Sequence, residues 1–224
     1  MRQRPRLLLP LCAQALFLTL ALAPSYAGYK ARPWNPRPVD SYPARLTSEG
    51  VTIAVEPLYR DDLAAQVFDK DDMVTRGIMP LAIIIFNDND FPVRIEANQI
   101  EIIAGDEHVH TLQPGEVVSR IYQKGKKNVW IPQPIPRVPT GGGVNQDALS
   151  DIEYKFLGSK YVDPHGKGGG FIYVHPPSEG DILSYLSSSR VYIPDVFRGD
   201  TRARMIFFEI ELKPATEKPL VPQR

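Results

Sequence analysis

Apolar and polar residues alternate along much of the chain between residues 46 and 213. A period of two is typical of β-strands that have one face in a core and the other in solvent. The alternating segments are 51–55, 91–96, 100–103, 107–112, 191–193 and 205–212. One more segment, 78–86, is almost entirely apolar and includes three successive isoleucines, which predicts a central strand covered on both faces.

Turn-forming residues divide these strands into hairpins. The run Asn-Asp-Asn-Asp at 87–90 tolerates left-handed backbone and predicts a hairpin between the strands that flank it. Residues 104–106 predict a second hairpin, and the charged loop at 198–200 predicts a third. Short strands with such spacing are typical of an antiparallel sandwich, so the pattern predicts an all-β fold.

Helical periodicity is limited to three segments. In 145–157 the apolar residues fall on one helical face, and Asn145 is the expected N-terminal cap. The segment 114–123 opens with Pro-Gly-Glu, which favours a helix start, and 61–68 is long enough for one or two turns.

Two glycine triplets flank the longest of these helices, at 141–143 and 168–170. Glycine lowers the cost of bending the backbone, so we expect a hinged helical insertion at about 141–170. The apolar run 171–174 then resumes the sheet.

The first 27 residues have the pattern of an export signal. Three arginines precede an apolar run at 7–23, and small residues before Gly28 predict a cleavage site. An uncleaved membrane anchor is the alternative, but Pro10 and Gln14 interrupt the run, which is short for a membrane span. We therefore expect a periplasmic or secreted protein with no membrane span after cleavage.

The amino-acid composition argues against several kinds of chemistry. The only cysteine, Cys12, lies in the predicted signal, so the mature protein would contain no disulfide, cysteine nucleophile or thiolate metal ligand. The residues before Cys12 lack the small side chains of a lipoprotein cleavage site, so we expect no lipid there. Lys+Arg and Asp+Glu both number 26, a balance that argues against a nucleic-acid partner.

Proline-rich segments flank the predicted sandwich domain at 46–213. Residues 28–45 contain four prolines in a polar setting, which favours an extended linker or a strap lying on the domain. Residues 214–224 combine proline with charged residues and are expected to form a flexible tail.

Five segments carry a resemblance to known proteins. They are Ser41-Tyr42-Pro43, 51–55, 77–81 leading into 86–88, 170–174 and 207–210. They resemble a pattern found in uncharacterised exported bacterial proteins with immunoglobulin-like domains, and they span most of the mature chain. The resemblance implies an immunoglobulin-like antiparallel β-sandwich, here with a helical insertion, and it implies no particular activity.

His108 and His110 are separated by one residue on a predicted strand, so both imidazoles project from one face, as a metal pair requires. With Gly105 and Glu116, the segment resembles the first metal-binding motif of cupins, although its spacing departs and the downstream motif is missing. No carboxylate is expected in register with the pair. We interpret both histidines as exposed polar residues, and a metal-dependent, cupin-like enzyme is the alternative.

Other motifs give no catalytic or cofactor signature. Neither glycine triplet completes Gly-x-Gly-x-x-Gly, and the common hydrolase motifs are absent from the sequence. Residues 87–89 resemble part of a calcium loop of cadherins, but the other ligand positions do not match. The sequence therefore predicts no catalytic residue, metal or cofactor.

These observations favour a non-enzymatic binding or structural module of the cell envelope. The expected contact regions are the loop at 122–130, where a basic turn lies between Tyr122 and Trp130, and the glycine-flanked insertion. The partner would be an unknown protein or an envelope polymer. A subunit of an envelope complex, tethered by the proline-rich segment, is a further alternative.

Overall fold

The computed structural model describes residues 29–122, 145–176 and 181–218. The predicted signal peptide, the first glycine triplet and the last six residues of the predicted tail lie outside these ranges. In the described residues, two antiparallel sheets pack face to face, and helices cover the outer face of one sheet. The prediction of a mostly β, sandwich-like fold is confirmed, while the strand order does not by itself establish an immunoglobulin-like topology.

The strands of the described chain form a four-stranded and a six-stranded sheet. In chain order they are β1 (Arg45–Ser48), β2 (Val51–Pro57), β3 (Met79–Asn87), β4 (Val93–Glu96), β5 (Glu101–Ala104), β6 (Glu107–His110), β7 (Ser159–Val162), β8 (Lys167–Val174), β9 (Ser189–Arg198) and β10 (Arg204–Glu211). The first sheet has the order β1-β2-β3-β8. In the second sheet, β4 and β5 lie end to end along one edge of β9, and β10 pairs with its other edge. Strand β7 pairs with β4, and β6 pairs with β5.

The helices of the described chain are short. They are α1 (Asp61–Ala64), α2 (Pro114–Ile121), α3 (Gln146–Lys155), α4 (Ile182–Ser187) and α5 (Lys213–Glu217), with 3-10 turns at Val39–Ser41 and Ala97–Gln99. Asn145 caps α3 as predicted, because its side-chain oxygen accepts a hydrogen bond from Ala148 N at 3.0 Å. The pattern did not predict α4, or α5 within the tail.

Strand β3 is the centre of the fold, and the prediction that it is covered on both faces is confirmed. Ile83 and Ile85 join the core between the sheets, whereas Ala82 and Ile84 face a second core beneath the helices. All four side chains are fully buried. The molecule therefore has three layers: the second sheet, the first sheet and the helices.

Residues 87–90 do not form the predicted hairpin. They carry the chain from β3 in the first sheet to β4 in the second. Asn87 is buried, and its amide donates to the carbonyl oxygens of Phe91, Val162 and Asp163 at 2.8, 3.3 and 3.1 Å. A turn-forming run specifies a change of direction but not the strand that is paired next. The hairpins β5–β6 and β9–β10 are confirmed.

The second glycine triplet lies inside β8, in register with β3, and is not a hinge. A Cβ atom on Gly169 would lie 2.5 Å from the Ile83 carbonyl oxygen, and one on Gly170 would lie 2.7 Å from Leu157 Cα. Glycine is needed here because neighbouring backbone comes too close for any side chain. Strand β7 and the start of β8 thus occupy part of the region assigned to a helical insertion.

Trp34 and Tyr42 of the proline-rich segment pack in the core beneath the helices, as the strap of the two alternatives would. The Trp34 ring lies 4.7 Å from that of Phe171, and Tyr42 is almost completely buried. The Tyr42 hydroxyl accepts a hydrogen bond from Arg37 N at 2.8 Å.

Within the described ranges, no helix has the length and apolar character needed to cross a membrane.

Candidate functional site

The two sheets differ in how their outer faces are covered. Helices pack on the outer face of the first sheet, whereas the outer face of the second sheet is exposed to solvent in the described structure. Strand register places its outward-facing side chains in rows that cross several strands. One row, named here the aromatic–arginine row, contains Tyr161, Arg94, Phe197 and Arg204, from β7, β4, β9 and β10. A second row, which crosses β9 nearer the start of that strand and is named here the histidine–glutamate row, contains His110, Glu101, Tyr192 and Glu209.

Rings and cations alternate along the aromatic–arginine row. The Arg94 guanidinium carbon lies 5.7 Å from the Tyr161 ring centroid and 5.1 Å from that of Phe197. These are cation–π distances, so Arg94 contacts both rings. Arg94 also pairs with Glu96 at 3.0 Å, and Arg204 at the end of the row pairs with Asp195. The row therefore presents rings and hydrogen-bonding groups with little net charge.

A second pair of rings lies on the same face. The centroids of Tyr192 and Phe207 are 6.3 Å apart, and 60% of Phe207 is exposed. On β10 the other outward positions include Glu209 and Glu211, so a phenylalanine breaks the polar pattern. The sequence analysis missed this residue, although adjacent Phe207 and Phe208 on one strand must point in opposite directions.

His108 and His110 project from one face and are exposed, as predicted. The expectation of no carboxylate in register was wrong, because Glu101 lies directly opposite His110 on β5. Its two carboxylate oxygens lie 2.7 Å from His108 Nδ1 and 3.4 Å from His110 Nδ1. The residue spacing within one strand could not show this pairing across the hairpin.

The histidine–carboxylate cluster consists of Glu101 and the two imidazoles that it contacts. Within 29–122, 145–176 and 181–218, no group of three or more His, Cys, Asp or Glu residues is arranged to hold a metal ion. Instead, each oxygen of Glu101 is paired with one imidazole. The arrangement can stabilise the β5–β6 hairpin through cross-strand contacts.

A small, shallow pocket lies near β2 and α5. Its lining includes Glu56, which pairs with Arg37 at 2.6 Å. Burial raises the pKa of Glu56, and the arginine opposes this effect. The pocket thus contains a carboxylate that is already neutralised by the strap.

A buried polar cluster fastens the start of the strap to α3. Lys155 Nζ donates to both carboxylate oxygens of Asp151, at 2.7 and 2.6 Å, and to the Val67 carbonyl oxygen at 2.9 Å. The Tyr29 hydroxyl donates to Asp151 at 2.5 Å. Burial lowers the pKa of Lys155, and the Asp151 carboxylate partly opposes this shift. Burial raises the pKa of Tyr29, and Asp151 raises it further. Because every group has a partner, we assign this cluster a structural role.

The predicted contact loop at 122–130 lies outside the described residues except for Tyr122. That residue follows α2, and its ring centroid lies 5.4 Å from Lys70 Nζ.

Comparisons with known proteins establish no family. No family model matches the chain, and no curated protein matches it. Among solved structures, it is similar to a putative lipoprotein (ycdA) from Bacillus subtilis subsp. subtilis str. 168, with a TM-score of 0.38 and 7% identity. The match covers 76% of this chain and 39% of that one, so this chain spans well under half of its length. The described structure thus defines a mostly β, two-sheet protein with an exposed aromatic face.

Proposed function

We propose that this protein is an exported, non-enzymatic module with an immunoglobulin-like sandwich that binds a cell-envelope component. Recognition occurs on the outer face of the second sheet. The observation that carries the proposal is the exposure of two large rings on that face, Phe207 at 60% and Tyr161 at 50%.

Such exposure is informative because neither ring is needed to complete a core. The inward positions of β10 and β7 already contain the buried residues Phe208 and Val162. Clustered aromatic and arginine residues on one surface are typical of binding sites, where their rigid side chains provide large contact areas. An open sheet face presents these side chains to solvent, which suits recognition of a partner.

The export signal predicted for residues 1–27 supports a periplasmic or secreted location. A protein in that location is surrounded by envelope proteins and polymers, which are therefore its expected partners. Recognition on a sheet face differs from our sequence-based expectation, which placed the contacts on loops.

A capture experiment tests the proposal. Protein beginning at Gly28 is immobilised and incubated with an envelope extract of the source organism, and retained proteins and sugars are identified. A Tyr161→Ser/Phe207→Ser variant is treated in parallel. Tyr154→Ser is the matched control, because Tyr154 is 88% exposed but lies on α3, away from this face.

We expect a component that is retained by the native protein and the Tyr154→Ser control but lost from the double variant. Identical capture profiles for all three proteins would contradict the proposal.

Metal analysis distinguishes the alternative of a metal-dependent enzyme. We expect purified native protein to contain no stoichiometric zinc, iron or manganese. Bound metal at one equivalent, lost on His108→Ala or His110→Ala substitution, would overturn the non-enzymatic assignment.

A further inference from the structure

We propose that the ligand of this face is an uncharged glycan chain lying across the aromatic–arginine row. This inference rests on the proposed function and names the chemical class of its ligand.

The rings provide the first argument. The C–H groups on one side of a sugar ring have partial positive charge and stack on the negative face of an aromatic ring, as other positive groups do. Tyr161 and Phe197 lie two strands apart, which corresponds to ~10 Å at the usual strand spacing. Phe207 and its neighbour Tyr192 extend the aromatic surface along β10 and β9 into the histidine–glutamate row. Rings distributed in this way suit a chain of repeating units.

The charges provide the second argument. Each arginine on the face is paired with a carboxylate: Arg94 with Glu96 at 3.0 Å, Arg190 with Glu209 at 3.4 Å, and Arg204 with Asp195. A polyanion would have to displace these carboxylates. Glu101 and Glu211 add further negative charge and would repel it.

Paired arginines and carboxylates still recognise hydroxyl groups. A guanidinium has five N–H donors, and one carboxylate cannot accept from all of them, so donors remain for a ligand. The carboxylates accept in turn from ligand hydroxyls. The ion pairs also fix both groups in position, which lowers the entropy cost of binding. A polyhydroxyl ligand without charge matches this set of donors and acceptors.

The shape of the site provides the third argument. Four strands at the usual spacing give the row a length of ~14 Å, and a ligand on it meets an open sheet face. A small molecule requires a cavity that surrounds it, whereas an extended polymer gains affinity from many shallow contacts. The small pocket described above lies elsewhere, near β2 and α5.

Affinity gel electrophoresis tests the inference. Protein beginning at Gly28 is run in native gels that contain hydroxyethylcellulose, glycol chitin or arabinoxylan, which are uncharged, or heparin, which is a sulfated polyanion. We expect at least one uncharged glycan to retard the native protein and heparin to have little effect. Phe207→Ser and Tyr161→Ser should each weaken the interaction about fivefold, and the double variant more than tenfold.

Matched controls separate loss of contact from loss of fold. Tyr154→Ser should bind as the native protein does, and Tyr161→Phe should retain binding because the ring remains. Thermal unfolding confirms that each variant is folded. Since Tyr161 and Phe207 are exposed, their substitution should leave the fold intact.

Three results would overturn the inference: no retardation by any uncharged glycan, equal retardation of native protein and double variant, or preferential binding of heparin. If none of the uncharged glycans binds but the capture experiment yields a protein that requires the same face, the binding function stands and the glycan assignment fails.

Discussion

The buried cluster of Tyr29, Asp151 and Lys155 allows a quantitative prediction. Asp151→Ala removes the acceptor of three hydrogen bonds and leaves Lys155 with only the Val67 carbonyl oxygen among the contacts described above. Stranding one partner of a buried ion pair costs about 3–5 kcal/mol. We expect the free energy of unfolding to fall by that amount.

Tyr29→Phe removes a single hydrogen bond to the same carboxylate. Hydrogen bonds to charged groups contribute about 1.5–3 kcal/mol, and Asp151 keeps its contacts with Lys155, so we expect a loss of about 2 kcal/mol. In the Asp151→Ala background, Tyr29→Phe should have a clearly smaller effect, because the hydroxyl has already lost its acceptor and keeps only the long hydrogen bond from Asp69 N, at 3.4 Å.

Urea denaturation followed by circular dichroism measures each change in protein beginning at Gly28. Glu153→Ala is the matched control, since Glu153 lies on α3 but is exposed, and its effect should stay within about 0.5 kcal/mol. Asp151→Leu/Lys155→Met should recover much of the stability lost in Asp151→Ala. An Asp151→Ala cost below about 1 kcal/mol, or additive effects of Tyr29→Phe, would refute the structural role of the cluster.

Four further substitutions test the fold by thermal or urea unfolding. Gly169→Ala should cost about 3 kcal/mol or prevent folding, because its Cβ would lie 2.5 Å from a carbonyl oxygen. Gly168→Ala should cost less, because its Cβ meets only side-chain atoms, of Val162 at 3.0 Å and Lys160 at 3.5 Å. Asn87→Ala should cost about 2–3 kcal/mol, since it removes the donor for three carbonyl oxygens. Burial, followed by the Arg120 charge, lowers the pKa of His175 below 6.5, so the unfolded chain binds the proton more readily. Stability should therefore fall as the pH drops below about 6.5, and His175→Gln should flatten that part of the profile; an unchanged profile would contradict this.

The layers of the fold were only partly predictable from hydrophobic pattern. The continuous apolar run of β3 indicated burial on both faces, and this is what the structure shows. Strand β2 alternates and was expected to have a solvent face, yet Thr52 and Ala54 are buried. The first sheet is covered by helices and strap from distant parts of the sequence, and the local pattern of β2 contains no information about that cover.

Pairing between strands was the less predictable part. The position of Glu101 opposite His110 depends on the register of the β5–β6 hairpin. The passage of the chain at Asn87 from the first sheet to the second depends on where β4 finds a strand to pair with. Both are tertiary properties that a turn motif does not specify. The glycines of β8 were recognised as unusual, but their role needs the positions of Ile83 and Leu157, which only the folded structure supplies.

The location of the proposed binding face follows from the same asymmetry between the sheets. The outer face of the first sheet packs under helices and strap, so its aromatic residues, such as Phe171 and Tyr173, complete a core. No described element packs over the outer face of the second sheet in the same way, and there an aromatic residue gains nothing from burial within the chain. Phe207 at such a position is therefore better explained by a ligand than by folding, which is the reason its substitution should reduce binding without reducing stability.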